Sequence, residues 1–413
     1  MQDQSKIVVI GGGLVGLATA VQLARARRPV LLIDSAPATP PASWGNAGII
    51  AVEQVEPLAT PATLRGVLPR LFTFGGPVAF RPADIAVWAP FVYRFLRVST
   101  VADAAHGKQA LQSIVTEALP AWERLAQTLG DTHLVIQRGQ RVLWESERSA
   151  KRQQAHWAIT DTGDVRVSDL DASTLQEMNA KLSRRVVAGL QLQGTAQVAS
   201  PARALLALRA CLLASGGECM QATVTGLGSL RGRIQVTLES GETWQPEAVL
   251  VAAGVGSKTL MKDIGLRVPL IAERGYHIEA DVGDWELPPV VFEDRALCVT
   301  QFGSRLRATS FVEFARAGSA PDPRKWQRLR RHATELGLPF KGPLSEWMGA
   351  RPTLPDYLPA MGRSRQVSNL YYAFGHQHLG LTLSAISAEL MCDLINGRMP
   401  AVDMRPFDVD RLT

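Results

Sequence analysis

The sequence predicts an α/β protein in which a Rossmann-like dinucleotide-binding domain is interrupted by a second, threaded domain. Three observations predict it. Residues Lys6 to Asp34 read KIVVIGGGLVGLATAVQLARARRPVLLID: a strand, a glycine-rich turn, a helix, a second strand and an acid, in that order. A wholly apolar run, Ala248 to Ala252, ends in Ala253-Gly254-Val255-Gly256. Nucleotide-domain character fades between these two segments and returns a third time near residues 345–396.

In the first segment Gly11 allows the tight turn, Gly13 lets backbone approach a pyrophosphate and Gly16 lets the helix pack closely on the strand. Leu14, Leu17, Ala18, Val21 and Leu23 give the helix its apolar positions, and its free N-terminal N–H groups face the phosphates. Asp34, 18 residues beyond Gly16, supplies a carboxylate for ribose hydroxyls. An ADP-containing dinucleotide is expected here. The proline-rich run Pro37 to Pro41 reads as a loop.

Between residues 77 and 97 aromatic residues accumulate, and Trp88, Phe91, Val92 and Phe95 at helical spacing predict a core-facing helix rather than a membrane-dipping one. Ser200-Pro201 predicts a helix start, with Ser as N-cap and Pro in the first turn, and Gly216-Gly217 its end. A strand near Glu218 to Leu227 and a hairpin strand through Arg231 to Leu238 follow. The run Ala248 to Ala252 is short and has no polar side, which marks a parallel strand covered on both faces. Ending it on glycines opens its carboxyl end to a ligand. An uninterrupted nucleotide module would be complete in one segment, so the layout points to a flavin domain with a substrate domain threaded through it. The boundaries expected are 1–80, 195–270 and 340–413 for the flavin domain, and 81–194 and 271–339 for the substrate domain.

The 413 residues are 46% apolar and 20% charged, and mean hydropathy is near zero, as in ordinary globular proteins. The longest uncharged window, residues 366–388, contains Asn369, His376, Gln377 and His378, which argues against a spanning helix. The protein is therefore expected in the cytoplasm, at most attached to the inner face of a membrane. The four cysteines, at positions 211, 219, 298 and 392, show no pairing or metal-ligand spacing, and no metal site is expected. Net charge is +6, and its densest cluster, residues 324–332, places Trp326, Leu329, Ala333 and Leu336 on one helical face with arginines outside. That is the pattern of a helix covering a sheet, and no nucleic-acid module accompanies it.

Five stretches together resemble the FAD-dependent amino-acid oxidase family, and most closely its D-amino-acid dehydrogenase branch. They are Ile7 to Asp34; Ser43-Trp-Gly-Asn-Ala-Gly48; Trp88 to Leu96; Ala248 to Ser257 followed by Arg274-Gly-Tyr-His277; and Gly349-Ala-Arg-Pro-Thr-Leu-Pro-Asp356 with Gly375-His-Gln-His-Leu-Gly-Leu-Thr382. The resemblance implies a discontinuous FAD domain, an α+β substrate domain with a mostly antiparallel sheet, and noncovalent FAD. Relatives that attach the flavin use a cysteine near the Arg351 segment, where this chain has none. The implied cofactor contacts are Gly11, Gly13, Leu14, Val15 and Gly16; Asp34 and Ser35; Ser43, Asn46, Ala47 and Gly48; Val224; Ala253 and Gly254; and Gly375, His378, Leu379, Gly380, Leu381 and Thr382. Two departures stand out. Asp34 replaces the commoner glutamate, and a Glu-Pro dipeptide of the middle segment stands here as Met178-Asn179.

Oxidising an amino acid at its α-carbon needs a carboxylate anchor, a neutral amine and a hydride acceptor. Arg351 is the expected anchor, because a guanidinium fork holds a carboxylate bidentately, with Arg274 next in line. Tyr276 is expected to donate its hydroxyl to the same carboxylate, and His376 to touch substrate or flavin. A helix from Leu381 to Leu394 would point its N-terminus at the flavin. The expected activity is oxidation of a D-amino or cyclic D-imino acid, with a quinone or a partner protein favoured over oxygen as electron acceptor. A glycine- or sarcosine-type oxidase and a non-catalytic electron-relay subunit are the alternatives.

Overall fold

The computed structural model describes residues 5–35 and 40–412, so most of the proline-rich run after Asp34 lies outside the described residues. A six-stranded sheet carries the nucleotide motifs, in the order Glu218–Gln221, Val30–Asp34, Ile7–Ile10, Ala248–Val251, Leu370–Phe374, Ala360–Arg363. All its pairings are parallel except the last. Ile10 is level with both Ile33 and Val251, so Gly11, Asp34 and Ala252 emerge together at one edge of the sheet. Ile7–Ile10 and Ala248–Val251 are buried throughout, as runs without a polar side require. The helices Leu14–Arg25, Pro201–Ala214 and Ser384–Ile395 pack on one face of this sheet. The meander Val224–Leu230, Arg233–Leu238, Thr243–Trp244 and the helix Ser257–Asp263 close the other. Helix Pro201–Ala214 starts as expected: the Ser200 hydroxyl accepts the Arg203 N–H, and Pro201 occupies the first turn.

The second sheet has nine strands and is mostly antiparallel. Its core is three long strands side by side: Phe340–Thr353, Ile271–Val282 and Arg305–Ala315. This corrects the expected domain boundaries at two places. Phe340–Thr353 pairs along Ile271–Val282 and belongs to this sheet, and Val78–Phe80 adds to Arg305–Ala315. The 345–396 region reads as a return of nucleotide-domain character, but its first part is a long strand of the other sheet. A third correction concerns the helices Val101–Val115 and Ala118–Thr128. They pack on Ser384–Ile395 in the nucleotide-domain core, with Trp122 Nε1 donating to the Leu381 carbonyl at 2.9 Å. Helix Ser384–Ile395 is buried on almost every side, and a helix apolar all round needs covering from more than one direction.

Alternation gives the large sheet two chemically different faces. On the outer face Tyr276, Ile278 and Phe292 pack against Leu329, Ala333 and Leu336 of the helix Pro323–Leu336, which covers the sheet as its sequence pattern implied. Helix Ile85–Val98 buries Phe91 against Phe314 and sets Phe95 against Tyr357, while Ile85, Tyr93 and Leu96 remain exposed. Among the described residues no single helix is long and apolar enough to cross a membrane.

Candidate active site

At the edge of the six-stranded sheet Gly11 turns with φ +113°, and a side chain there would meet the Ala252 carbonyl. A Cβ on Gly16 would strike the Gly11 carbonyl, so helix and strand touch backbone to backbone. The following helix starts without a side-chain cap from Gly13, and the Leu14 N–H goes to Ser43 Oγ at 3.1 Å. Asp34 leans over the same turn: a Cβ on Gly12 would lie 2.5 Å from its Oδ2. Ser35 is exposed beside it, and the Ala222 N–H donates to the Asp34 carbonyl, which brings the start of Val224–Leu230 alongside. Ala253 and Gly254 leave the neighbouring strand at this edge, Gly254 with φ +57°.

The segment Ser43 to Gly48 runs from this cradle onto the inner face of the large sheet. Asn46 Oδ1 accepts the Gly48 N–H at 2.7 Å, closing a tight turn around Ala47. Arg307 pins the segment from below, donating to the Trp44 carbonyl at 2.9 Å and the Asn46 carbonyl at 2.6 Å while Glu279 takes its Nε at 2.6 Å. His277 Nδ1–H donates to the Gly45 carbonyl at 3.1 Å, and its ring stacks on Trp347 at 4.9 Å. Burial, reinforced by the Arg307 charge, lowers its pKa to about 3 and keeps it neutral. The sequence pointed to neither Arg307 nor His277 as a site residue. Their signal was available only as the period-two companions of Gly275, once the pairing of the three long strands is known.

The turn His376 to Leu383 closes the opposite side, joined to the strand Ile49–Ile50 where Thr382 Oγ1 accepts the Ala51 N–H at 3.0 Å. Leu379 and Leu381 bury their side chains in the core, leaving only their backbone for any ligand. The N–H groups of Gly380, Leu381 and Thr382 have no backbone or side-chain acceptor among the described residues. The regular helix begins at Ser384, three residues later than its sequence suggested.

Arg351 sits where these pieces meet. Its Nη1 donates to Glu273 at 3.1 Å and to the Phe311 carbonyl at 3.2 Å. Its Nε and Nη2 have no hydrogen-bond partner among the described residues, so one edge of the guanidinium fork is open. A Cβ on Gly275 would collide with Nη2, which is why glycine fits beneath the guanidinium. Glu273, 1% exposed, also accepts from Thr353 Oγ1 and Tyr357 Oη, each at 3.1 Å. Three of the seven non-glycine residues with positive φ among the described residues adjoin this cluster: Phe311, Tyr357 and Gln377, whose Nε2 donates to the Tyr357 carbonyl. Backbone strain of this kind gathers at functional sites.

Three residues expected at the site, one of them in reserve, lie elsewhere. Tyr276 is on the outer face: its hydroxyl donates to Glu313 at 2.6 Å, accepts the Asp322 N–H at 3.1 Å and is fully buried beneath Trp326. Arg351 and Gly275 occupy the inner face, so residue 276 must point away. Arg274, the reserve anchor, is 0% exposed and spends its guanidinium on Glu313 in that same outer cluster. His376 turns its Nε2 to Ser387 Oγ at 3.0 Å, inside the nucleotide-domain core, where burial lowers its pKa to about 4. His378, two residues on, points the other way: its Nε2 meets Gln54 Oε1 at 2.7 Å and its ring centre lies 6.4 Å from that of Tyr357. None of the four cysteines is disulfide-bonded, and no group of three or more metal-ligating side chains occurs among the described residues.

The FAD dependent oxidoreductase (DAO) family matches residues 6–394. The chain belongs to that family. Among proteins similar to this DAO-family chain, a D-amino-acid oxidase of Bradyrhizobium diazoefficiens is 30% identical over all of both chains. A D-amino acid dehydrogenase of Cereibacter sphaeroides is 29% identical over 98% of this chain and 95% of its own. The fold is shared with glycine oxidase from Geobacillus kaustophilus, at TM-score 0.74, 20% identity and 99% coverage of each chain. It is shared too with L-proline dehydrogenase from P. horikoshii, at TM-score 0.69 and 17% identity, covering 100% of this chain and 98% of that one.

The DAO family depends on FAD, and the residues present fit that cofactor. The glycine cradle would be filled by any side chain at Gly11, the neighbouring helix start is uncapped by Gly13, and three N–H groups at Gly380 to Thr382 await acceptors.

One buried carboxyl lay outside every sequence motif. Glu53 is buried; its Oε1 accepts Gln140 Nε2 at 3.1 Å, while its Oε2 and Gln140 Oε1 have no partner. Burial pushes its pKa up to about 7 from 4.5, against opposing hydrogen bonds from its own backbone, Gln140 and Gln54. Because the folded-state pKa is the higher one, the protein loses stability as pH rises from about 4.5 through 7, where the carboxylate forms without enough donors. Glu53→Gln should therefore stabilise the protein, and raise its Tm, little at pH 5 and progressively more up to pH 8, the stability gain reaching about 3 kcal/mol from the 2.5-unit difference (7 − 4.5). Calorimetric Tm values of the two proteins across that range check it; a constant difference would place the carboxyl's ionisation elsewhere.

Proposed function

We propose that this enzyme oxidises D-amino or cyclic D-imino acids at the α-carbon, with the substrate carboxylate held by the open edge of Arg351. The observation that carries the reading is a guanidinium fixed on one side by buried Glu273 and free on the other. A fork held this way binds a carboxylate bidentately and fixes which α-hydrogen faces the cofactor. The names of the relatives at 29–30% identity support D-amino acids as the substrate class. A non-catalytic electron relay would have no use for such an anchor.

Gly11, Gly13, Leu14, Val15 and Gly16 with Asp34, Ser35 and Val224 would hold the ADP half of FAD. Ser43 to Gly48, Ala253, Gly254 and Gly375 to Thr382 would flank the flavin. Bound noncovalently, FAD supplies the hydride acceptor. The chain's own part is to orient the α-carbon, exclude water and present N–H groups where negative charge develops on reduction. The imino product hydrolyses to a 2-oxo acid, or persists as a pyrroline carboxylate when the substrate is cyclic. Electrons pass on to a quinone or a partner protein. Net charge +6, with Ile85, Tyr93 and Leu96 exposed on the helix that carries Arg94 and Arg97, supports contact with an anionic membrane face from the cytoplasmic side.

The test is anaerobic bleaching of the flavin by a panel of D-, L- and N-substituted amino acids, D-alanine and D-proline among them. The expected result is fastest bleaching by a D-amino or D-imino acid. Preference for sarcosine or glycine would move the enzyme to the alternative activity, and no bleaching by any of them would overturn the reading.

A further inference from the structure

We propose that His378 takes the proton from the substrate's amine, and that Glu53, acting through Gln54, is the positioning residue that holds its ring for the task. The proposal rests on Arg351 as the carboxylate anchor. His378 Nε2 lies 2.7 Å from Gln54 Oε1. An amide oxygen only accepts, so Nε2 carries the hydrogen. The Gln54 side chain lowers the Glu53 pKa as a donor does, which turns its nitrogen end towards Glu53 and agrees with its oxygen facing His378. Burial keeps the His378 ring neutral, with a pKa lowered to about 4. A neutral imidazole protonated at Nε2 bears its lone pair on Nδ1, and Nδ1 has no hydrogen-bond partner among the described residues.

The placement of the ring serves the same end. It adjoins Tyr357, whose hydroxyl is on Glu273, and the Glu273 and Arg351 charges both act on it. A carboxylate on the open edge of Arg351 therefore brings its α-nitrogen to the His378 side of the cluster. The other rings nearby are committed: His277 to Gly45 and Trp347, His376 to Ser387, Tyr357 to Glu273.

In the step, one ammonium N–H bond breaks and its proton joins Nδ1. The electron pair stays on the substrate nitrogen, where it would assist loss of hydride from Cα, the hydride acceptor being what bound FAD would supply. Removal of a general base costs roughly 10²–10⁴-fold.

Holoenzyme and the variants His378→Gln, Gln54→Leu, Glu53→Gln and Arg351→Met are compared in two assays. The first titrates the flavin absorbance with a carboxylate lacking the amine: propionate, or cyclopentanecarboxylate if D-proline bleaches faster than D-alanine. The second follows kcat/KM for the matching D-amino acid across pH. His378→Gln should lose about 100-fold or more in kcat/KM near neutral pH and bind the bare carboxylate within about two-fold of wild type. Its kcat/KM should climb about tenfold per pH unit, because only substrate that is already deprotonated reacts. Gln54→Leu and Glu53→Gln should move towards the same slope with smaller losses. Arg351→Met should weaken the bare carboxylate itself. If His378→Gln keeps the wild-type pH slope, or weakens the bare carboxylate as much as Arg351→Met does, the proposal is overturned. If Arg351→Met leaves carboxylate binding intact, it is the anchor that fails, whatever His378 shows.

Discussion

Arg351→Ala is expected to lower kcat/KM for the best D-amino acid by roughly one and a half to three and a half decades. Removing one partner of a desolvated, hydrogen-bonded charge pair costs about 2–5 kcal/mol, and each decade is about 1.36 kcal/mol. Arg351→Lys should recover little, since an ammonium on a flexible stem cannot hold Glu273 with one edge and a carboxylate with the other. Flavin content should stay near normal, because no cofactor contact is assigned to this side chain. The measurement is kcat/KM with an artificial acceptor, beside the flavin-to-protein absorbance ratio. Near-wild-type efficiency in Arg351→Ala with full flavin would remove the anchor from this position. It could not be reassigned to Arg274, which is sealed beneath the helix Pro323–Leu336.

The second large effect belongs to the outer face of the same sheet. Glu313 joins Arg274, Lys325 and Tyr276 in one buried cluster, with Lys325 Nζ at 2.7 Å and Asp322 completing the shell around Lys325 at 3.0 Å. Burial opposes ionisation of Glu313, yet the hydrogen bonds from Lys325 and Tyr276 outweigh it and hold its pKa below the usual value. Glu313→Ala would leave Arg274 and Lys325, 0% and 1% exposed, without their shared carboxylate. Such a loss costs about 3–5 kcal/mol. Urea unfolding should show it, and adding Lys325→Met should restore part of it by removing one stranded charge. A loss below about 1 kcal/mol would mean that the cluster relaxes around the gap. Tyr276→Phe should leave kcat/KM near wild type, the outcome that separates a clamp under a helix from a substrate contact.

The contrast between the two faces shows what the sequence could and could not reveal. The cradle was legible from Ile7 to Asp34 because every requirement there is local: a turn that needs glycine, a helix start, an acid at the end of the next strand. Arg351 stood out as the expected anchor for a similar reason, in a short motif with glycine and proline, and the structure sets it beside buried Glu273. Glu273 and Arg307 were not, because their roles exist only through pairing with segments tens of residues away. Tyr276 was misplaced by reading a motif as a cluster: neighbours in a strand point to opposite faces. The opposite directions of His376 and His378 were not legible, because a single helical turn between a strand and a helix gives no period from which to infer direction. The domain boundary near 340 failed because the GxRP motif was grouped with the GHxHxG motif that follows it, whereas its strand, Phe340–Thr353, pairs along Ile271–Val282 in the other sheet.

The central strand of the nucleotide sheet also sets a timetable. Ile7–Ile10 can pair early with Val30–Asp34, but its other edge waits for Ala248–Val251. At about 5–20 residues per second of synthesis, those intervening 241 residues (251 − 10) take roughly 12 to 48 s. Leu370–Phe374 and the turn that follows it arrive later still. A nascent chain therefore exposes an apolar, hydrogen-bond-hungry strand edge for most of its time on the ribosome. It cannot complete its cofactor cradle until residues 370–382 have been made, so the earlier segments have no finished site to offer FAD.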